Sequence, residues 1–382
     1  MTMAQIFANA EIVTREDRFR GYLVVENGLI SEVGAGAAPE KGIDLGGDFL
    51  LPGLIEIHTD HLEAHFMPRP KVEWNAASAV LAYDAQIAAS GITTVFDSLR
   101  IGIDEHESKA GVSARVAEFA ELIAQASAAG HLRCNHLTHI RCEVPARDVV
   151  DELKLFLDRF PVQLISLMDH TPGQRQFRDL DKYFTYYGGR TGKSDAEVRE
   201  VVARRQSTGG QRAEHNRPLI VAMAAAQGIK LASHDDTTLD EVARSHAEGV
   251  SVAEFPTTLD AAAASQEAGM STVMGAPNVV RGGSHSGNVA ARELADAGLL
   301  NMLSSDYVPA SLLLGAFQLA DSPRIDGLPG AVRLVTSNPA AALALSDRGE
   351  IAKGKRADLI RVTGSASAPV VRTVWRAGER VA

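Results

Sequence analysis

Leu51-Pro52-Gly53-Leu54-Ile55-Glu56-Ile57-His58-Thr59-Asp60 is the stretch on which the reading of the fold turns. Before it, short strand-like runs (Gln5–Ala8, Tyr22–Glu26, Leu29–Val33) are joined by turns, and Asn27-Gly28 is the dipeptide that favours a tight hairpin. After Pro52-Gly53 the texture changes to a repeated unit, a short apolar strand followed by an alanine-rich helix. Eight strand candidates can be marked: Leu54–Asp60, Ile92–Asp97, Cys134–Cys142, Gln163–Asp169, Lys230–His234, Ser251–Phe255, Thr272–Ala276 and Asn301–Asp306. Gly91, Gly130, Gly228, Gly249, Gly269 and Gly298 stand just before several of them, where a helix is expected to end. Strand alternating with helix implies parallel strands, and eight of them imply a closed (β/α)8 TIM barrel of the α/β class. An open doubly wound sheet is the rival, weakened because no G-x-G-x-x-G follows the first strand.

From about Thr336 the chain changes again. Ser337-Asn338-Pro339 opens a short helix, and Gly349–Gly354 leads into strand-like Ala357–Val362 and Val370–Trp375. The two ends are expected to combine as one small β-sandwich domain, residues 1–52 plus 345–382, beside a barrel spanning 53–344. Within that barrel, Thr171–Pro218 is longer than an ordinary strand-to-helix connection and is expected to carry helices of its own. It holds eight Arg and two Lys against three Asp and three Glu, and three of the six tyrosines, Tyr183, Tyr186 and Tyr187.

The remainder of the chain is acidic, with a net charge of −10 overall. That balance argues against general nucleic-acid or membrane-surface binding, both of which favour basic surfaces. Met1–Ala10 lacks a basic region followed by a long apolar core, and no 18-residue apolar run occurs, so a cytoplasmic enzyme is expected. Cys134 and Cys142, the two cysteines, lie in one extended run. Eight residues of strand span roughly 26 Å, so the pair is too far apart for a disulfide within it.

In a TIM barrel the active site lies at the C-terminal ends of the strands. The first strand ends in His58-Thr59-Asp60. Simple alternation turns His58 and Asp60 into the barrel mouth and Ile57 and Thr59 toward the helices. A neutral imidazole nitrogen and an anionic oxygen suit a borderline cation such as Zn²⁺. The third strand ends at Glu143, the fourth at Asp169-His170, the fifth at His234-Asp235-Asp236 and the eighth at Ser304-Ser305-Asp306. Any one of these is as well read as a capping or hydrogen-bonded residue. Their recurrence at five of eight strand ends argues for a metal centre.

These residues carry a resemblance. Leu51–His58 resembles the entry strand of the amidohydrolase superfamily, and Gly349–Leu359 (GEIAKGKRADL) its closing segment. Closer still, His58–Glu63 (HTDHLE), Phe66–Lys71 (FMPRPK), Ser166–Phe177 (SLMDHTPGQRQF), Ala232–Asp236 (ASHDD), Ala253–Thr258 (AEFPTT), Met274–Asn288 (MGAPNVVRGGSHSGN) and Leu303–Tyr307 (LSSDY) resemble the phosphonate-utilisation subgroup. That subgroup has His-x-Asp in the first strand where the superfamily more often has His-x-His. The resemblance implies hydrolysis of a ribose 1-methylphosphonate 5-triphosphate to the 5-phosphate and pyrophosphate. It implies two divalent metals, zinc with manganese or iron as alternatives. His58, Asp60 and Asp306 would ligate one; Glu143 would bridge to a second held by His170 and His234, in place of the carbamylated lysine of many members.

Phosphoanhydride hydrolysis needs an activated water and neutralised phosphoryl oxygens, and a metal pair about 3.5–4 Å apart supplies both. Asp306 is the expected general base. For the polyanion, Arg281-Gly282-Gly283-Ser284-His285-Ser286-Gly287 follows the seventh strand and is expected at the start of a helix, where barrels often bind phosphate through backbone N–H groups. Arg175 and Arg178 in the basic insertion, read as a lid, and Arg69 with Lys71 are further phosphate candidates. His61, His65 and His139 are spare histidines, and Glu56 and Arg141 are expected to form an ion pair inside the barrel. The expected partner is a small polyphosphorylated ribose; the oligomeric state stays open, a homo-oligomer included. Two other readings stand beside this one: a cyclic-amide hydrolase of dihydroorotase or hydantoinase type, and a metal-free scaffold of the same fold.

Overall fold

The computed structural model describes residues 4–69, 72–102, 112–173, 175, 194–284, 286–365 and 367–382. Lys71, Arg178, Tyr183, Tyr186, Tyr187 and His285 therefore lie outside the described residues. The chain forms two sheets. One is built from both ends of the sequence: β1 (Gln5–Val13), β2 (Arg18–Glu26), β3 (Leu29–Ala35), β4 (Ile43–Asp44) and β5 (Phe49–Pro52) join β14 (Leu359–Ser365), β15 (Ala368–Arg376) and β16 (Glu379–Arg380). Its pairing is mostly antiparallel, with β4 and β5 running parallel to β1. The Asn27-Gly28 turn joins β2 to β3 with both residues at positive φ, 51° and 78°, as a tight hairpin requires. Phe7, Ile12, Leu23, Leu50, Leu359 and Trp375 are buried in a core cluster belonging to this sheet.

The second sheet runs β6 (Leu54–Thr59), β7 (Ile92–Ile101), β8 (Asn135–Glu143), β9 (Leu164–Met168), β10 (Lys230–His234), β11 (Val252–Glu254), β12 (Ser271–Gly275) and β13 (Met302–Ser304), each parallel to the next. A parallel bridge between Thr59 and Asp306 brings the last strand back to the first, which closes the barrel. Ile55, Ile57, Phe96, Leu164, Ala232, Val252, Val273 and Met302 form one buried cluster. Residues from so many strands meet only inside the barrel, which is a packed core and no pore. Leu54, Ile140, Ile165, Leu231, Ala253, Met274 and Leu303, on the opposite parity, belong instead to the cluster shared with the helices.

Ile57 departs from the expected alternation, because it lies in the interior cluster. Ile57 shares the interior parity of Ile55, and a break in register follows: Glu56 pairs with Val95 and Thr59 with Asp97, so β6 spends an extra residue over that interval. A bulge of this kind re-aims the side chains that follow, and here it turns His58 into the barrel mouth. Glu56 does not meet Arg141. Its carboxylate accepts from the backbone N–H of His58 at 2.7 Å and of Ser305 at 2.5 Å, satisfying donors that the distorted ladder leaves open.

The helix Asp195–Gln227 carries the second half of the basic insertion and ends just before β10. Ser194 and Glu197 form a capping box at its start, and Gly228 takes the left-handed conformation at its end (φ 65°). Both cysteines are free, as the spacing implied.

Candidate metal centre

The chain turns out of three barrel strands through a non-glycine residue in the left-handed region. Asp235 (φ 57°) follows His234, Phe255 (φ 56°) follows Glu254, and Asp306 (φ 53°) follows Ser305. Such conformations are costly for side chains bearing a Cβ and persist where the surroundings impose them. Here they end the strands abruptly at the mouth, so that the last inward side chains face one another.

Two groups of donor atoms result. In the first, atoms of His58, His139 and Glu254 lie within 4.8 Å of one another; in the second, atoms of His170, His234 and Asp235 do. Glu254 stands between them. Its Oε1 is 3.0 Å from His58 Nδ1 and 3.8 Å from His139 Nε2, and its Oε2 is 3.2 Å from His234 Nδ1. The rings of His58 and His234 stack at 5.4 Å, and that of His139 meets His58 edge-on at 5.3 Å.

Neighbouring groups hold the rings in place. His139 Nδ1 lies 3.0 Å from the Ile57 carbonyl, and its Nε2 lies 2.5 Å from Ser166 Oγ, which donates to Glu254 Oε2 at 2.7 Å. His170 Nδ1 lies 2.7 Å from Glu143 Oε2, and the His170 backbone N–H donates to Glu143 Oε1 at 2.8 Å. A carboxylate holding one ring nitrogen in this way aims the other at a cation. Arg175 donates to the His234 carbonyl at 2.9 Å and to Asp236 at 2.7 Å, fixing the fifth strand end from behind.

The electrostatics fit a cation. Burial pushes His139 and His234 down to about 3, so both rings stay neutral and offer lone pairs. Burial, aided by the charge of Asp60, pushes Asp306 up to about 6, and burial, with the charges of Asp236, Asp306 and Glu254 against that of Arg175, raises Asp235 well above its ordinary range. Carboxylates crowded in this way lack positive charge. His58 Nδ1, Glu254 Oε1 and Asp235 Oδ2 are also buried without a hydrogen-bond partner. The first two are close yet misaligned for a hydrogen bond, and an unsatisfied buried donor set of this chemistry is what a divalent ion would satisfy.

The sequence-derived residues separate accordingly. His58, His170 and His234 come together. Glu143, expected as the bridge, is occupied by His170 and by Arg100 at 2.8 Å, and stands in neither donor group; Glu254 holds the central position. Asp60 and Asp306 face each other from the first and eighth strands, with Arg141 3.4 Å from Asp60. Arg175, expected to meet phosphate, is 8% exposed and engaged by Asp236 and Glu241. Arg69 and Arg281 are exposed. Arg281 ends the short helix Ala276–Arg281, and the N–H groups of Gly282 and Gly283 are bonded back into that helix, so the glycine loop follows a helix end where a helix start was expected. Ser284 Oγ accepts from the Ser286 N–H at 3.1 Å. The sequence reading did not single out Glu254, placed Asp235 at a strand end without a ligand role, and left His139 unassigned. His139 shares the inward parity of Arg141 and Glu143, and Glu254 closes the sixth strand, the position that marked the others.

A closed parallel barrel with histidines and carboxylates at its mouth, beside a sheet made of both termini, defines a class of metal-dependent hydrolases, and the chain belongs to the amidohydrolase family, whose pattern matches residues 49–381. It is 46% identical over 380 residues to the alpha-D-ribose 1-methylphosphonate 5-triphosphate diphosphatase of Escherichia coli (strain K12), covering 98% of this chain and 100% of that one. Among solved structures it resembles 5-methylcytosine deaminase from Klebsiella pneumoniae (TM-score 0.67, 14% identity, 99% and 97% of the two chains). It also resembles N-acetyl-D-glucosamine-6-phosphate deacetylase from Mycobacterium smegmatis (TM-score 0.65, 18% identity, 99% and 100% of the two chains). No helix among the described residues is long and apolar enough to cross a membrane.

Proposed function

We propose that the chain is a metal-dependent diphosphohydrolase that cleaves a ribose 1-methylphosphonate 5-triphosphate to the 5-phosphate and pyrophosphate. The observation that carries this reading is the 46% identity across the full length of the Escherichia coli diphosphatase. His58, His139 and Glu254 on one side and His170, His234 and Asp235 on the other would hold one or two cations, zinc, manganese or iron, with Asp60 and Asp306 adding oxygens from the first and eighth strands. A divalent ion bound there supplies positive charge for a phosphoryl group and makes a water acidic near neutral pH.

The chain's own groups do the rest. Glu143 and Arg175 hold His170 and the His234 strand end in place. A carboxylate oxygen of Asp306 takes the proton of the attacking water and returns it toward the leaving pyrophosphate. The exposed Arg69 and Arg281, with Ser284, contact outer phosphate oxygens, the role for which the sequence also offers Lys71 and His285. The two donor groups favour this reading over a metal-free scaffold, and the full-length likeness to a diphosphatase favours it over a cyclic-amide hydrolase.

The test is product analysis with a ribose phosphonate triphosphorylated at the 5-position. Pyrophosphate and the 5-phosphate are the expected products of metal-loaded protein. Orthophosphate release, or turnover of hydantoin or dihydroorotate without pyrophosphate release, would sink the proposal.

A further inference from the structure

Arg100 and Arg141 are Cα register partners on the neighbouring strands β7 and β8. Both turn inward. Arg100 reaches Glu143 at 2.8 Å, and Arg141 reaches Asp60 at 3.4 Å and the Met168 thioether at 3.3 Å. Two like charges set side by side on adjacent strands repel, and the low-dielectric mouth of a barrel makes that repulsion larger than at a surface. Each guanidinium carries five N–H donors in a fixed fork. The bonds above use few of them: Arg100 Nε is buried with no partner, and Arg141 Nε has only sulfur, a weak acceptor. Hydrogen-bonding capacity left over beside two half-buried positive charges is what a multiply charged oxyanion would use.

From this juxtaposition we infer that Arg100 and Arg141 form an anion subsite inside the barrel mouth, taking the phosphoryl oxygens of a polyphosphate through their forked N–H donors. The inference rests on the diphosphohydrolase reading for its substrate and deepens it. Neither arginine lies in the basic insertion or the glycine loop. The subsite sits on the β7–β8 side of the donor groups, next to Glu143 and Asp60. Planar forks match phosphate geometry in a way an ammonium does not. The cationic walls therefore supply orientation to the polyphosphate as well as charge.

The probe is tripolyphosphate, titrated calorimetrically into metal-loaded protein, with metal content measured after the titration. Arg100→Gln and Arg141→Gln are each expected to weaken binding on the order of 10-fold to 100-fold, the loss of one or two charge-assisted hydrogen bonds. KM for the triphosphate substrate should rise in proportion while metal content holds. Arg→Lys at either position is expected to recover only part of the affinity. Wild-type affinity in both Gln variants would overturn the inference. So would a joint loss of metal and binding that Arg→Lys restores completely, because the arginines would then only steady Glu143 and Asp60. If the wild-type protein binds tripolyphosphate through this pair yet releases no pyrophosphate from the ribose triphosphate, the reaction proposed above fails and the subsite stands.

Discussion

Asp306 leaves the eighth strand at a φ of 53°, and its backbone N–H donates to the His58 carbonyl at 3.2 Å. Burial and the facing charge of Asp60 hold its carboxyl at about 6, with His58 and Arg141 pulling the other way. A carboxylate that titrates near neutrality suits proton transfer, because it both accepts and releases readily. Asp306→Asn keeps the size and one ligating oxygen but cannot take the proton. The expected outcome is a fall in kcat on the order of 10²–10⁴ with metal partly retained. Retention of more than about a tenth of wild-type kcat with metal bound would place the base elsewhere, since a tenfold loss falls well short of what such a group contributes. At this scale His58, His170 and His234 were legible because each closes a strand. Glu254 closes one too, but a lone glutamate before Phe255-Pro256 carries no signal until three histidines are seen around it.

The entry strand shows what an element adds. β5 belongs to the terminal sheet and β6 to the barrel, and Gly53 is the residue between them. Its N–H donates to Asp358 at 2.8 Å, tying the junction to the far end of the chain. A Cβ at Gly53 would stand 2.3 Å from Thr93 Oγ1 and 2.5 Å from its Cγ2, inside β7. Gly53→Ala is therefore expected to destabilise by about 1–3 kcal/mol, the usual cost of overpacking, with Thr93→Ala restoring part of it. Urea denaturation of the single and double variants measures this, and an unchanged midpoint in Gly53→Ala would show that Thr93 yields freely. The strand itself was legible from its apolar run between Pro52-Gly53 and His58. Its bulge was not. Periodicity assigns one residue per step, and the extra residue is demanded by how β6 must fit against β7.

Stability against pH belongs to the molecule as a whole, because the group that governs it joins several elements. His136 on β8 lies 3.0 Å from Asp97 on β7 and 3.2 Å from Asp84 on the helix Ala76–Ala89. Burial lowers its affinity for a proton, yet Asp97 and Asp84 outweigh that and raise it to about 9 from 6.5. Since the folded value exceeds the unfolded one, the contribution is fully present below about pH 6.5 and is lost as pH rises through about 9. The melting temperature should fall by several degrees across that window, and His136→Gln should flatten the profile. A wild-type profile as flat as that of His136→Gln would mean the charge is absent. Close by, Arg348 bonds to Thr94 and Asn135, and Arg376 to the Cys134 carbonyl at 2.7 Å. The terminal sheet is thereby tied to the same two barrel strands, so the loss should be felt across the sheet and the barrel together.

The eight parallel strands, the sheet made from both ends and the family were legible in consecutive residues, since strand length, alternation and turn glycines are local properties. The sequence also marked the mouth, because fold and chain direction decide which strand ends share it. Folding in three dimensions was needed to put Glu254 between the histidines, Glu143 against His170, Arg175 into a buried ion pair and Arg100 beside Arg141. Those roles depend on distances between residues on different strands. Closing the barrel sets such distances, and no spacing along the chain encodes them.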